Sequence, residues 1–283
     1  MAEFVPNTTH RYATDGPLVL SMSALQSFKR CRKQYELGNE LNIDVASSDA
    51  AQRGTEIHAI LADCARFIRD CTPVPPWTGE MAPIAQSYLE HEALPKDILK
   101  VDEEPIYTKL VRETWLRTTL DLVYRDDEGW IVGRDWKSFS KAPTYDVDLD
   151  FQGGIYIAAL MRAYKTDKVR FEYKYIRSAL THADGKPWDV DELYFTVPVV
   201  ISRREADALW KETQDAARDL LRARRLGKFY RSGSRKEFGS PCFTCWFLDL
   251  CKADMQQGYV GVDDVALLAA GIKEPLKLPE GIL

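Results

Sequence analysis

The sequence predicts an α/β fold, with a mixed central sheet built from the middle of the chain and helices flanking it. Three observations carry that expectation. Apolar residues recur at helical spacing in the first hundred residues and again after Ser202. Three extended segments, rich in aromatic and β-branched residues and separated by polar turns, fill 104–137. Beyond them helical and strand patterns alternate, as they do where helices cover a sheet.

Ser23-Ala-Leu-Gln26 has the form of a capping box: the hydroxyl accepts from an orphan N–H while Gln26 reaches back, opening a helix to about Leu37 that presents Cys31. Ala51 to Cys71 carries an apolar stripe through Ile57, Ile60, Leu61, Cys64, Phe67 and Ile68, with His58 beside it, and Pro73, Pro75 and Pro76 end it. A shorter helix covers Pro83 to His91. Strands follow at Glu104–Val111, Trp115–Arg125 and Trp130–Lys137. Asp148–Tyr164 reads as a helix, Val169–Ile176 and Glu192–Val197 as strands. Ser202 caps a long helix with Ala206, Leu209, Trp210, Thr213, Ala217, Leu220 and Leu221 on one stripe.

No basic stretch at the start leads into an apolar run, and no segment is long and apolar enough to span a bilayer, so a cytoplasmic protein is expected. In that compartment thiols stay reduced, and six cysteines point to metal ligation rather than to disulfides. The net charge of -5 disfavours a protein that coats nucleic acid by bulk attraction. Arg218 to Lys236, however, holds eight basic residues against Asp219 alone, a stripe able to meet phosphates or simply to stay solvated.

The stretch Thr119–Lys137 is the most informative. Asp127-Glu128-Gly129 suits a three-residue hairpin loop with Gly129 left-handed, which pairs Asp126 with Trp130 and sets Asp121 opposite Asp135. With period-two alternation, Asp135 and Lys137 share a face. Opposed carboxylates repel by roughly 0.2–1 kcal/mol before burial, and a divalent cation relieves this with hard oxygen ligands. Lys137 then adds an amine where charge develops during attack on a phosphate. An exposed hairpin with surface charges is the plainer alternative.

Taken in order, Gly54-Thr-Glu-Ile-His58, Asp121, Asp135-Trp-Lys137 and Gln152-Gly-Gly-Ile-Tyr156 resemble the successive motifs of RecB-like nucleases of the PD-(D/E)XK superfamily. That branch includes CRISPR-associated exonucleases and the nuclease domains of recombination helicases. The resemblance implies a restriction-endonuclease-like core. It implies that His58, Asp121, Asp135 and the Trp136 carbonyl bind Mg²⁺ or Mn²⁺, that Lys137 serves the attacking water, and that Gln152 and Tyr156 border the site. Gln152 and Tyr156, four apart, lie on one helix face. An imidazole ligand favours Mn²⁺ more than an all-oxygen site would. Leu120 stands where the superfamily's proline is named, and Asp135 where many relatives have glutamate.

Cys242, Cys245 and Cys251 supply three closely spaced thiols, and a tetrahedral site or a cuboidal cluster needs a fourth, for which Cys31 is the best candidate. One cysteine near the N-terminus and three near the C-terminus resemble the iron–sulfur staple of CRISPR-associated and AddB-type nucleases. The resemblance implies a structural [4Fe-4S] cluster; zinc on four thiolates is the rival. Cys64 and Cys71 belong to a helix stripe or its end.

The expected whole is one nuclease domain. It has an extension over 1–20, helices and nuclease core over 21–226, a cysteine segment over 227–255 and a tail over 256–283. The resemblance implies metal-dependent DNA exonuclease action on single strands or free ends, with 5′ to 3′ polarity and a phage origin as further expectations, in recombination, repair or CRISPR-type processing with protein partners from those systems. Arg224 and Arg225 are candidate phosphate contacts, with Phe229, Tyr230 and Phe238 as rings for stacking on bases. The alternatives are a structure-specific endonuclease and a silent iron–sulfur DNA-binding or scaffold protein.

Overall fold

A computed structural model describes residues 18–40, 49–73, 76–112, 114–140, 151–231, 240–248 and 251. Phe238 and the tail over 256–283 lie outside the described residues, as do positions 148–150 of one expected helix. In chain order the elements begin with β1 (Leu18–Ser21), α1 (Met22–Arg30), α2 (Arg32–Tyr35), α3 (Asp49–Arg69) and α4 (Ala82–His91). The strands β2 (Asp97–Val101), β3 (Ile106–Val111), β4 (Thr114–Thr118), β5 (Leu122–Arg125) and β6 (Ile131–Phe139) follow. The rest are α5 (Phe151–Tyr164), β7 (Val169–Arg177), α6 (Val190–Leu193), β8 (Tyr194–Val199) and α7 (Arg203–Leu226).

The described residues form two compact units, one drawn from 18–22 and 49–215, the other from 23–40 and 216–251. The first holds both sheets. A five-stranded sheet runs β2-β5-β6-β7-β8, antiparallel except for the parallel pair β6 and β7, whose connection includes α5. Parallel neighbours need such a crossover, whereas β5 and β6 need only a tight turn. A three-stranded sheet runs β1-β4-β3, with β1 parallel to β4. On one face of the larger sheet Ile57 and Leu61 of α3 and Ile84 and Tyr88 of α4 pack with Leu122, Trp136 and Ile176. Pro198 sits in β8, an edge strand, where a missing N–H costs no ladder bond.

The expected strand Trp115–Arg125 is in fact two strands of different sheets, β4 and β5. The break falls at Thr119–Asp121, where Leu120 is buried and the Asp121 carboxylate turns to accept the Trp136 backbone N–H. β2 lies ahead of the expected strands, its lysine and aspartate masking the apolar alternation. Ser202 caps α7 as expected, with Glu205 N–H donating to Ser202 Oγ at 3.2 Å and Ser202 N–H to Glu205 Oε2 at 2.7 Å, whereas α1 already begins at Met22, ahead of the Ser23 expected to cap it.

In the second unit the expected single helix to Leu37 breaks at Cys31, whose backbone is extended at φ -160° and ψ 115°. A π-helical turn over Glu36–Glu40 follows α2. Tyr35 stacks on Phe229 at 5.9 Å and meets the Phe28 edge at 5.5 Å.

Candidate active site

The hairpin forms in the register its turn chemistry dictates. Gly129 adopts φ +81°, its N–H donates to the Asp126 carbonyl, and Asp126 N–H donates to the Trp130 carbonyl. Leu122 pairs with Arg134 and Arg125 with Ile131, which sets Asp121, just before β5, across from Asp135. Asp121 Oδ2 accepts the Trp136 N–H at 2.6 Å, and Oδ1 lies 3.3 Å from His58 Nδ1. His58 reaches this position because α3 lies close to β6 one turn earlier, where Gly54 comes so near Ser138 that a Cβ would sit 2.7 Å from its Oγ.

Asp135 is buried at 7% exposure, and its Oδ2, which lacks a hydrogen bond of ordinary geometry, pairs with the Lys137 ammonium. Burial pushes the Asp135 carboxyl up to about 6, the Asp121 charge pushes the same way, and Lys137 and His58 oppose it. Burial also works against a charged His58, but the hydrogen bond and charge of Asp121 and the charge of Asp135 outweigh it, leaving the imidazole above its ordinary value. The electrostatic strain of two converging carboxylates thus shows in their neighbours' protonation.

Across the larger sheet, Asp135 pairs with Tyr173 and Lys137 with Tyr175 in β7. The Lys137 ammonium lies 5.6 Å from the centre of the Tyr173 ring, which meets Phe171 edge-on at 4.9 Å. Phe171 in turn meets Tyr156, whose hydroxyl accepts from Gln152 Nε2 at 2.9 Å. Tyr173 is a site neighbour that the motifs do not include. Its signal is the alternation of Phe171, Tyr173 and Tyr175 on the strand paired with Asp135-Trp-Lys137.

Two carboxylates and an imidazole beside a lysine suit a hard divalent cation: the donors are of the right chemistry, and a cation would offset both the burial and the Asp121 charge that raise Asp135. Among the described residues no three His, Cys, Asp or Glu side chains stand at the spacing of a single-ion site.

In the other unit Cys31, Cys242, Cys245 and Cys251 all line one pocket. Arg231 Nε lies 2.9 Å from Cys251 Sγ and its Nη2 donates to the Cys251 carbonyl. Burial raises the Cys245 thiol, and the nearby Cys31, Cys242 and Cys251 add to the shift. Cys64 is buried in α3, and Cys71 is exposed just past its end. The candidate phosphate contacts separate: Arg225 is exposed, while Arg224 is mostly buried, with its Nε 2.9 Å from Glu40 Oε1. Phe229, expected to stack on bases, is buried against Tyr35; Tyr230 is exposed.

A mixed sheet that brings an aspartate from one strand link against an Asp-x-Lys on its neighbour is the architecture of a metal-dependent nuclease core. The chain belongs to the PD-(D/E)XK nuclease superfamily, whose description matches residues 19–252. No curated protein matches its sequence. Among solved structures it is similar to a candidate exonuclease of Eubacterium rectale, at 12% identity and TM-score 0.50 over 100% of both chains. It is also similar to SSO0001, at 13% identity and TM-score 0.46 over 83% of this chain and 86% of that one. A phage-related exonuclease of Haemophilus somnus 129PT matches at 14% identity and TM-score 0.32, over 74% and 95%. The likeness to the Eubacterium rectale structure is one of fold. Nucleases of the superfamily typically use a divalent metal, and among the described residues no helix is long and apolar enough to cross a membrane.

Proposed function

We propose that the chain is a divalent-metal-dependent DNA exonuclease acting on single strands or free ends, with 5′ to 3′ polarity. The observation that carries the reading is the convergence of Asp121, Asp135 and Lys137 beside His58 at the mouth of one hairpin. His58, Asp121, Asp135 and the Trp136 carbonyl hold Mg²⁺ or Mn²⁺. When bound, the metal polarises the phosphate and lowers the pKa of a coordinated water. Lys137, released from Asp135, places its ammonium beside the attacked phosphate, where negative charge grows. Gln152 and Tyr156, joined by their hydrogen bond, border the path of the strand. The exonuclease description of the Eubacterium rectale neighbour agrees with the reading.

The four cysteines hold a structural [4Fe-4S] cluster in this reading. Four thiols, from Cys31, Cys242, Cys245 and Cys251, match a cuboidal cluster in which each thiolate binds a different iron. Zinc on the same four thiolates is the rival, and the metal content of the purified protein separates the two. The extended backbone at Cys31 frees that thiol from the helix so that it can face the other three.

The test is cleavage of end-labelled linear and closed circular single strands with Mn²⁺, with and without chelator. Metal-dependent loss of linear DNA alone supports the reading. Cleavage of circles indicates an endonuclease. Equal inactivity of the native protein and its Asp121→Asn and Lys137→Ala variants, with DNA binding intact, indicates a silent binding protein.

A further inference from the structure

The three-stranded sheet carries an outward face that the active site does not use. In β3, Ile106, Thr108 and Leu110 are buried, which sends Tyr107 and Lys109 outward. In β4, Thr114, Leu116 and Thr118 are buried, which leaves Trp115 and Arg117 on the other side. The register sets Tyr107 against Arg117 and Lys109 against Trp115, so these four side chains form one contiguous patch. Tyr107 is 53% exposed, and Val19 of β1, paired with Trp115, is 47% exposed. Three features of this face are unusual for a solvated sheet surface. It exposes the Tyr107 ring and leaves the Trp115 ring half-buried, it alternates them with exposed cations, and β1, β3 and β4 contain no acidic residue although the whole chain has net charge -5.

We infer that this face is a binding platform for single-stranded DNA, with Tyr107 and Trp115 stacking on bases and Lys109 and Arg117 meeting the phosphates. Rings interleaved with cations on an open sheet are what a flexible strand recognises, since every base offers a face to stack and every linkage a negative charge. Tyr107 and Trp115 are diagonal neighbours, about 7–8 Å apart, close to twice the 3.4 Å rise of one nucleotide. The Lys109 ammonium already lies 6.0 Å from the Trp115 ring centre, so ring and charge are presented together. β4 ends at Thr118, and Arg117 is four residues before Asp121, so their backbones are at most roughly 14 Å apart. The purpose of the platform rests on the nuclease reading, but its binding does not.

The test uses the full-length protein in three forms: native, Tyr107→Ala/Trp115→Ala and Lys109→Ala/Arg117→Ala, with melting temperature and circular dichroism as folding controls. Binding of a fluorescent oligothymidylate is measured by anisotropy in chelator, so that hydrolysis plays no part. Each ring removed is expected to weaken binding about 5- to 150-fold. The two cations together should lower the slope of log affinity against log salt by roughly 1.4. Heparin, a polyanion without bases, should be affected by the cation pair and not by the ring pair. Tight binding by both variants, or equal losses by the ring variant for heparin and DNA, overturns the platform. Hydrolysis of a dinucleotide, too short to reach the face, separates the two readings. Ring variants that cleave it at the native rate but show a raised KM on long strands support the platform. A native protein inactive on every substrate refutes the nuclease reading and leaves the binding result standing.

Discussion

Replacing Gly54 with alanine should invert the usual effect of that substitution in a helix. Alanine in a helix interior is favoured over glycine by about 0.8–1 kcal/mol, and Gly54 lies within α3. Here the added Cβ would stand 2.7 Å from Ser138 Oγ, against an ordinary contact of at least 3.4 Å, an overlap of 0.7 Å. Overpacking costs about 1–3 kcal/mol, and the half-buried Ser138 can turn its Oγ aside, which keeps the cost at the lower end, so Gly54→Ala should lower stability by up to ~1 kcal/mol. With Ser138→Ala the clashing oxygen disappears, and the next contact is the Ser138 Cβ at 3.8 Å. The double variant should therefore be ~1–2 kcal/mol more stable than the sum of the singles, a coupling read by a double-mutant cycle in urea. His58, four residues on and on the same helix face, moves with the backbone. A shift of several tenths of an ångström should cut nuclease turnover by about 10- to 100-fold, with recovery in the double variant. A Gly54→Ala protein with a raised melting temperature and native turnover would refute the close approach of α3 to β6.

Arg134, nearly buried, pairs with Glu172 at 2.6 Å and Glu92 at 3.0 Å, and Lys174 pairs with Glu92 in turn. Arg134→Met should cost up to about 3 kcal/mol because it leaves the partly buried Glu172 with only the Tyr124 hydroxyl, and combining it with Glu172→Gln should recover part of that loss, as followed by chemical denaturation. Cys31→Ser should abolish the broad visible absorbance of anaerobically purified protein and lower its melting temperature, whereas Cys71→Ser should do neither. Arg225→Ala should weaken DNA binding and flatten its salt dependence with no change in melting temperature. Arg224→Ala should act chiefly by destabilising the fold, since it leaves a mostly buried Glu40 with the Tyr35 hydroxyl but without its positive partner.

Local chemistry made the hairpin legible. Asp127-Glu128-Gly129 admits few turns, the turn sets the register, and the register alone places Asp121 across from Asp135 and joins Asp135 to Lys137 on one face. The long helices were legible for the same reason, because apolar periodicity and caps act within a few residues of each other. Three things were decided only by contacts between residues distant in the chain. The strand expected over Trp115–Arg125 divides between two sheets because Asp121 finds a partner in the Trp136 N–H, and Leu120 burial in the core. The helix through Cys31 breaks where propensity alone would let it continue. Arg224 and Arg225, indistinguishable as neighbours in a basic stripe, take opposite fates because Glu40 meets one and solvent the other. Periodicity reports which side of an element is apolar, but a charge's role depends on the partner that tertiary packing brings to it.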